Sequence, residues 1–510
     1  MSGPPRSAPT SDPALLAALR DDLAAAGYTA PAVSGVLGPA AEGSLARGSR
    51  LAALRALADP AAAASGPVAD LTALFAVGAP VDTDRVDAAL PSLRARGAQT
   101  LGLVRLRGTQ AHPLVELRPH QLFDSDGVGE WWIASDLGEA AAAGPLPADH
   151  VLGVGGASRT LAGLQLPRPA GSVLDLGTGS GIQALRAARY GTRVVATDVS
   201  ERALAFAGFN AALNGVEIEL RQGSLFEPVE GERFDRIVCN PPFVITPRGA
   251  DVPEYEYRDA GLVGDRLVEE VVRGVAAHLR PGGVAQLLAN WEDHESAPGR
   301  DRVARWAEEA GLDVWVVERE VQDPVLYAET WIRDGGVRPG TTAFDRMLRA
   351  WLDDFASRDV RSIGFGFVTL RLAETRRFRR VERAQGGSSG LGGHLAVCLD
   401  AQTWLARTDD DALLGARLVV AGDVTEERHY WPGDEHPAAI ELRQGGGFAR
   451  VVPVDAAVAG FVGACDGDLP VAAILSALAE LLDIDGTAIS AELLGTVREL
   501  VATGFLIPAD

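Results

Sequence analysis

The sequence predicts an α/β chain whose middle is a doubly wound, largely parallel sheet, and three observations carry that expectation. From Ser172 onward, short apolar runs alternate with longer runs at helical spacing, the pattern of strands joined by crossover helices. The first run, residues 173–176, breaks into Gly177-Thr178-Gly179-Ser180-Gly181, as a buried strand does when it turns tightly into a helix. A later run from Phe234 meets Asn240-Pro241-Pro242-Phe243. Proline cannot continue a ladder, so that strand must end at Asn240, at the carboxyl edge where open sheets bind ligands.

Each element follows from its residues. The sheet is expected to run through strands at 173–176, 194–197, 218–221, 234–239, 284–289, 314–318 and 361–371, with helices at 182–190, 201–214, 267–279, 301–309 and 344–355. Upstream, Ser11 or Asp12 ahead of Pro13 reads as a helix cap, and further helices are expected over 41–57, 68–75 and 83–96. Strand-like runs at 100–107 and 113–118 predict a hairpin, which with the helices gives a winged-helix-like unit; Trp131-Trp132 lies on another strand. Downstream, strands are expected at 394–399, 418–421, 438–442 and 448–454, followed by helices over 456–465, 471–482 and 489–503. The domains implied are a disordered leader at 1–12, a mostly helical recognition domain at 13–150 and the sheet domain at 151–373. A basic, Gly-rich linker at 374–393 and an α+β winged-helix-like domain at 394–510 complete the chain.

Composition narrows the function. With 510 residues and a net charge of −22 the chain is a poor general binder of nucleic acid, since phosphate binding draws on Lys and Arg and no Lys is present. Three cysteines without C-x-x-C spacing imply neither a disulfide framework nor a metal site and point to a reducing cytoplasm. No run approaches the ~20 apolar residues of a membrane span. The cluster Arg376, Arg377, Arg379, Arg380 and Arg383 is either a solvated segment or a holder of RNA phosphates or of an acidic partner surface.

The glycine turn reads D-x-G-x-G-x-G from Asp175, not the G-x-G-x-x-G of a dinucleotide loop. Asp198 closes the second strand, where an acid can accept both ribose hydroxyls of a nucleoside. Together with Asn240-Pro241-Pro242-Phe243, these residues resemble class I S-adenosylmethionine (AdoMet) methyltransferases of the HemK-like or "methyltransferase small" type. The stretch from Tyr257 to Asp265 also resembles release-factor glutamine methyltransferases.

The resemblance implies a seven-stranded, Rossmann-like sheet with its last strand antiparallel between the fifth and sixth. It implies AdoMet held by Asp175, Gly177, Thr178, Gly179, Gly181, Asp198, Val199, Ser224, Leu225 and Asn240, with Asn240, Pro241, Pro242 and Phe243 at the reacting nitrogen. Ser158, Arg159 or Thr160 would meet the carboxylate of AdoMet, and Tyr255, Tyr257, Arg258 and Asp259 lie in a loop at the reactive edge. Two departures stand out: Ser224 replaces the usual acid at the adenine amine, and Phe243 replaces the usual Tyr. The acceptor implied is macromolecular, a protein glutamine amide ahead of an adenine or guanine amine of ribosomal RNA; a non-catalytic AdoMet-binding regulator is the reading from another class. The segment from Asp455 resembles PqqD-like modules that hold peptides.

Overall fold

The computed structural model describes residues 7–124, 127–138, 141, 147–248, 261–295, 297–373, 378–384, 391–483 and 485–509. Its central sheet has the strands β1 (Ala170–Leu176), β2 (Gly191–Asp198), β3 (Glu219–Gln222), β4 (Phe234–Cys239), β5 (Leu279–His294), β6 (Asp313–Gln322), β7 (Val360–Arg371) and β8 (Arg379–Arg383). Their order is β8-β6-β7-β5-β4-β1-β2-β3. β7 runs antiparallel between β5 and β6, as expected. β1, β4 and β5 pair in parallel, so their carboxyl ends emerge on one edge.

The eighth strand corrects the expected linker. Arg379–Arg383 is an edge strand parallel to β6, and its arginines are taken up by acids from elsewhere. Arg379 pairs with Asp301 (2.7 Å), Arg380 with Glu499 (2.8 Å), and Arg383 with Glu318. Arg376 and Arg377 lie outside the described residues.

Helices α1 (Pro13–Ala25), α2 (Ile182–Ala187), α3 (Glu201–Leu213), α4 (Arg266–His278), α5 (Pro324–Asp334) and α6 (Thr342–Ser357) frame the site. Asp12 caps α1, its side chain accepting from the backbone N–H of Ala14 and Leu15. The helix expected over 41–57 is instead two, Ala30–Ala46 and Leu51–Leu57, because Gly48 (φ 76°) breaks the run. The 68–75 segment is an α-turn, Pro67–Leu71, widening to a π-turn over Thr72–Ala76. That over 83–96 divides into Thr83–Ala89 and Arg94–Thr100, as Pro91 bars Leu90 from the helical region. The sequence pattern over 182–190 outran its helix, which stops at Ala187.

Of the leader, residues 1–6 are outside the description, but Thr10 N–H donates to Leu101 O (2.9 Å). The hairpin expected between 100–107 and 113–118 pairs differently: Val104–Arg107 turns through Gly108 onto Gln110–Pro113, while Val115–Asp124 pairs with Gly127–Asp136. That second ribbon carries Trp131, which is buried, and Trp132, whose indole N–H donates to Tyr28 O (2.7 Å).

In the C-terminal part the strand expected at 394–399 is a helix, Leu391–Leu405. Leu391, Leu395, Cys398 and Leu399 all point inward at helical spacing, a period that a short apolar run conceals. Beyond it, Asp466–Pro470, Arg417–Val420 and Leu506–Pro508 form one small sheet, and Val424–His429, Ala439–Gln444 and Val451–Val454 another. No described helix is long and apolar enough to cross a membrane.

Candidate active site

The site begins where β1 ends. Gly177, Gly179 and Gly181 have φ of 76°, 54° and 91°, which side-chain-bearing residues adopt only under strain. A Cβ at Gly177 or Gly179 would meet nothing within 4 Å, so the turn opens onto free space along its outer side. At Gly181 a Cβ would lie 3.2 Å from Ala207, so there the requirement is close packing of α2 on α3.

The turn is pinned from behind. Gly177 and Thr178 N–H both donate to Thr197 O (2.9 Å), and Asp175 Oδ2 accepts from Thr178 Oγ1 (2.6 Å) and Ala184 N–H (2.9 Å). Asp175 is fully buried and fastens the turn from within, while its Oδ1 is buried with no partner. Burial pushes its carboxyl up to about 7, against the opposing pull of the Thr178 and Ala184 hydrogen bonds.

A pH dependence follows. The folded state holds the Asp175 proton more tightly than the unfolded chain, whose carboxyl titrates near ~4. Its contribution to stability is therefore complete below that value and is lost as the pH rises through about 7. Asp175→Asn, neutral throughout, is expected to flatten this slope: urea midpoints at pH 5 and pH 8 should differ less in the variant than in the parent.

Asp198 closes β2 beside the turn. Its Oδ2 accepts from Gly179 N–H (2.9 Å) and its Oδ1 from Ser200 N–H (2.9 Å). Burial raises its pKa, opposed by those same amide donors. Val199 is exposed, and its carbonyl accepts from Gln222 Nε2 (3.1 Å); Gly223 N–H donates to Asp198 O (3.0 Å). These bonds tie the end of β2 to the loop carrying Ser224 and Leu225. Ser224 is exposed, and Leu225 is held at φ 46° ahead of Phe226, which stacks on His278 at 4.4 Å.

At the end of β4, Asn240 is half-buried, and its Oδ1 is buried without a hydrogen-bond partner. An unsatisfied buried amide oxygen costs about 1–3 kcal/mol, a cost that a ligand N–H would remove. Pro241 O accepts from Phe243 N–H (2.7 Å), closing the turn while leaving its second lone pair. Phe243 touches three apolar clusters, those of α4, of the helix Leu391–Leu405, and of α5 and α6. A cleft beside it is lined by Pro242, Val244, Leu262, Gly264 and Asp265. Arg248 Nε donates to Leu262 O (3.1 Å) across the base of the loop; Tyr255, Tyr257, Arg258 and Asp259 lie outside the described residues.

Ser158, Arg159 and Thr160 lie on the helix Gly156–Leu164, where Ser158 O accepts from Gln183 Nε2 (2.8 Å) at the start of α2.

Sequence reasoning missed Asn210, on the buried face of α3. Its Nδ2 donates to Ser180 O and Ala134 O (2.8 Å each), and its Oδ1 accepts from Ala134 N–H (2.7 Å), joining the glycine turn to the N-terminal ribbon. Arg20 of α1 adds bonds of 2.7 Å to Leu213 O and Ala212 O at the end of α3. A lone Asn amid alanines and phenylalanines was the available signal. Tyr327 and Asn290 were missed as well: Tyr327 OH meets Ile245 N–H (2.9 Å) and Asn290 Nδ2 (3.0 Å).

Comparison with known proteins agrees with this layout. The family described as "Methyltransferase small domain" matches residues 154–296, and two domains of unknown function match residues 25–114 and 397–508. The chain is 41% identical over 158 residues to a release factor glutamine methyltransferase of Cereibacter sphaeroides, covering 29% of this chain and 54% of the relative. It is 39% identical over 123 residues to another from Geobacter sulfurreducens, covering 22% and 43%. A ribosomal RNA small subunit methyltransferase C of Alcanivorax borkumensis is 31% identical over 134 residues, covering 26% and 36%. The chain thus spans about half the length, or less, of these relatives. The middle of the chain is a class I methyltransferase domain of the HemK-like, methyltransferase-small type.

Proposed function

We propose that the protein is an AdoMet-dependent N-methyltransferase whose acceptor is a glutamine side-chain amide of a protein, a translational release factor in the first instance. The observation that carries this reading is the unpartnered, buried Oδ1 of Asn240 at the carboxyl end of β4, next to a proline carbonyl with a lone pair to spare. The open side of the glycine turn at Gly177 and Gly179, with Asp198 beside it, supports assigning this edge to the nucleoside, Asp198 taking ribose hydroxyls and Val199, Ser224 and Leu225 the adenine. When bound, AdoMet supplies an electrophilic methyl group.

The residues of the chain then have to present a nitrogen. An amide lone pair is delocalised, so its N–H groups must be held where that pair points at the methyl carbon. Asn240 Oδ1 and Pro241 O each accept one N–H, which orients the nitrogen and draws density onto it. Phe243 provides a flat wall for the planar group, and the surplus proton departs after transfer, so no strong base is required. Positioning of this kind supplies up to about 7–11 kcal/mol in favourable intramolecular reactions.

A purely binding role is disfavoured, because holding AdoMet requires no unpaired amide oxygen at Asn240. An RNA amine is the second reading, supported by the similarity to the ribosomal RNA enzyme. Against it, Arg379, Arg380 and Arg383 of the basic cluster are already paired with carboxylates. Incubation with methyl-labelled AdoMet, a release factor and deproteinised ribosomal RNA separates the two. Label is expected in the protein as N5-methylglutamine; label confined to RNA would overturn the glutamine assignment.

A further inference from the structure

A second unpartnered amide oxygen lies at the same edge of the sheet. Asn290 on β5 is 1% exposed, and its Oδ1, like that of Asn240, is buried with no hydrogen-bond partner. β5 pairs in parallel with β4, and the ladder ends at Leu287 opposite Cys239. Continuing that register by one residue sets Asn240 beside Leu288, and Asn290, two residues on, leaves β5 on the same face as Leu288. The two orphaned oxygens therefore belong to neighbouring strands and one face.

The Asn290 amide is held in a single orientation. Its Nδ2 donates to Tyr327 OH (3.0 Å), so its Oδ1 is the atom left to face away from Tyr327. Tyr327 belongs to α5, the first helix of an α5–α6 pair inserted between β6 and β7 at this edge. The same hydroxyl receives Ile245 N–H (2.9 Å), two residues beyond Phe243. Its ring is wholly buried among Trp331, Trp351, Phe355 and Phe365. One hydroxyl thus fixes both the chain leaving the Asn-Pro-Pro-Phe turn and the amide on the next strand.

We propose that Asn290 Oδ1 is a further acceptor-binding group, taking an N–H of the methyl-accepting substrate other than the two amide hydrogens held by Asn240 and Pro241, and that Tyr327 is the positioning residue that aims it. This rests on the reading of Asn240 given above. It explains why a buried carboxamide with one satisfied and one unsatisfied end is kept beside the turn: a bound N–H donor removes the cost of leaving Oδ1 unpaired. It also gives the inserted helices a role in acceptor choice, since only a substrate with a donor besides its methyl-accepting amide satisfies Asn290 as well as Asn240.

The test is steady-state kinetics of the full chain with a release factor, and in parallel with deproteinised ribosomal RNA, using whichever the parent protein methylates. Asn290→Ala is expected to raise KM for the acceptor about tenfold, the loss of one hydrogen bond in a buried site, with KM for AdoMet unchanged. Tyr327→Phe, which keeps the packed ring, should move acceptor KM in the same direction. The double variant should lose less than the product of the two, because Tyr327 acts through Asn290. A purely structural role would lower the melting temperature of Asn290→Ala and leave acceptor KM where it was, and that result overturns the proposal, as would fully multiplicative effects. If Asn240→Ala still abolishes transfer while Asn290→Ala changes nothing, this inference alone fails. If the parent methylates neither acceptor, the assignment of Asn240 fails and takes this one with it.

Discussion

Asn240→Ala is expected to reduce methyl transfer by about 10²–10³-fold while leaving AdoMet affinity within a factor of about two, since it removes an aimed polar group from the reacting nitrogen and nothing from the donor cradle. The reason lies in the geometry. Asn240 Oδ1 has no partner among the described residues, whereas the glycine turn is fastened by Thr197, Asp175, Asp198 and Asn210. Removing the Asn240 amide leaves all of those bonds in place. Isothermal calorimetry with AdoMet beside a labelled-transfer assay reads both quantities. Equal collapse of binding and transfer would place Asn240 in the donor site instead.

Gly179→Val is expected to do the opposite and abolish donor binding. At φ 54° a β-branched residue is strained, and its methyl groups enter the space that the turn leaves open. A penalty of about 3 kcal/mol corresponds to more than a hundredfold weaker binding. Calorimetry should show no measurable heat at AdoMet concentrations that saturate the parent protein, with far-UV circular dichroism unchanged. Undiminished binding would mean that nothing lies against that side of the turn.

Much of the central sheet was legible because its signals are local. The 173–176 run, the glycines behind it and the prolines at 241 and 242 each act on their own few residues, and the expected antiparallel last strand is present as β7. What stayed hidden depends on partners far along the chain. β8 reads as a charged linker because Arg-Arg-Val-Glu-Arg shows no apolar face, and its place is set by acids at 301, 318 and 499.

The site divides in the same way. Asp198 and Asn240 could be read from strand ends, but the Asn290–Tyr327 contact joins residues 37 apart in sequence. Helix α5 did carry a signal: Asp323-Pro324 repeats the Asp12-Pro13 pattern, and Asp323 caps it through Val325 and Leu326 N–H. The helix at 391–405 was concealed because the six-residue, mostly apolar run 394–399 fits a buried strand as well as a helix.

The most direct measurement is a crystal structure of the protein with S-adenosylhomocysteine and a glutamine-bearing acceptor peptide. The account predicts the homocysteine nucleoside along the open side of Gly177 and Gly179, with the glutamine amide nitrogen at hydrogen-bond distance, about 3 Å, from both Asn240 Oδ1 and Pro241 O. A peptide amide seated elsewhere, with Asn240 Oδ1 still unpartnered, would contradict it.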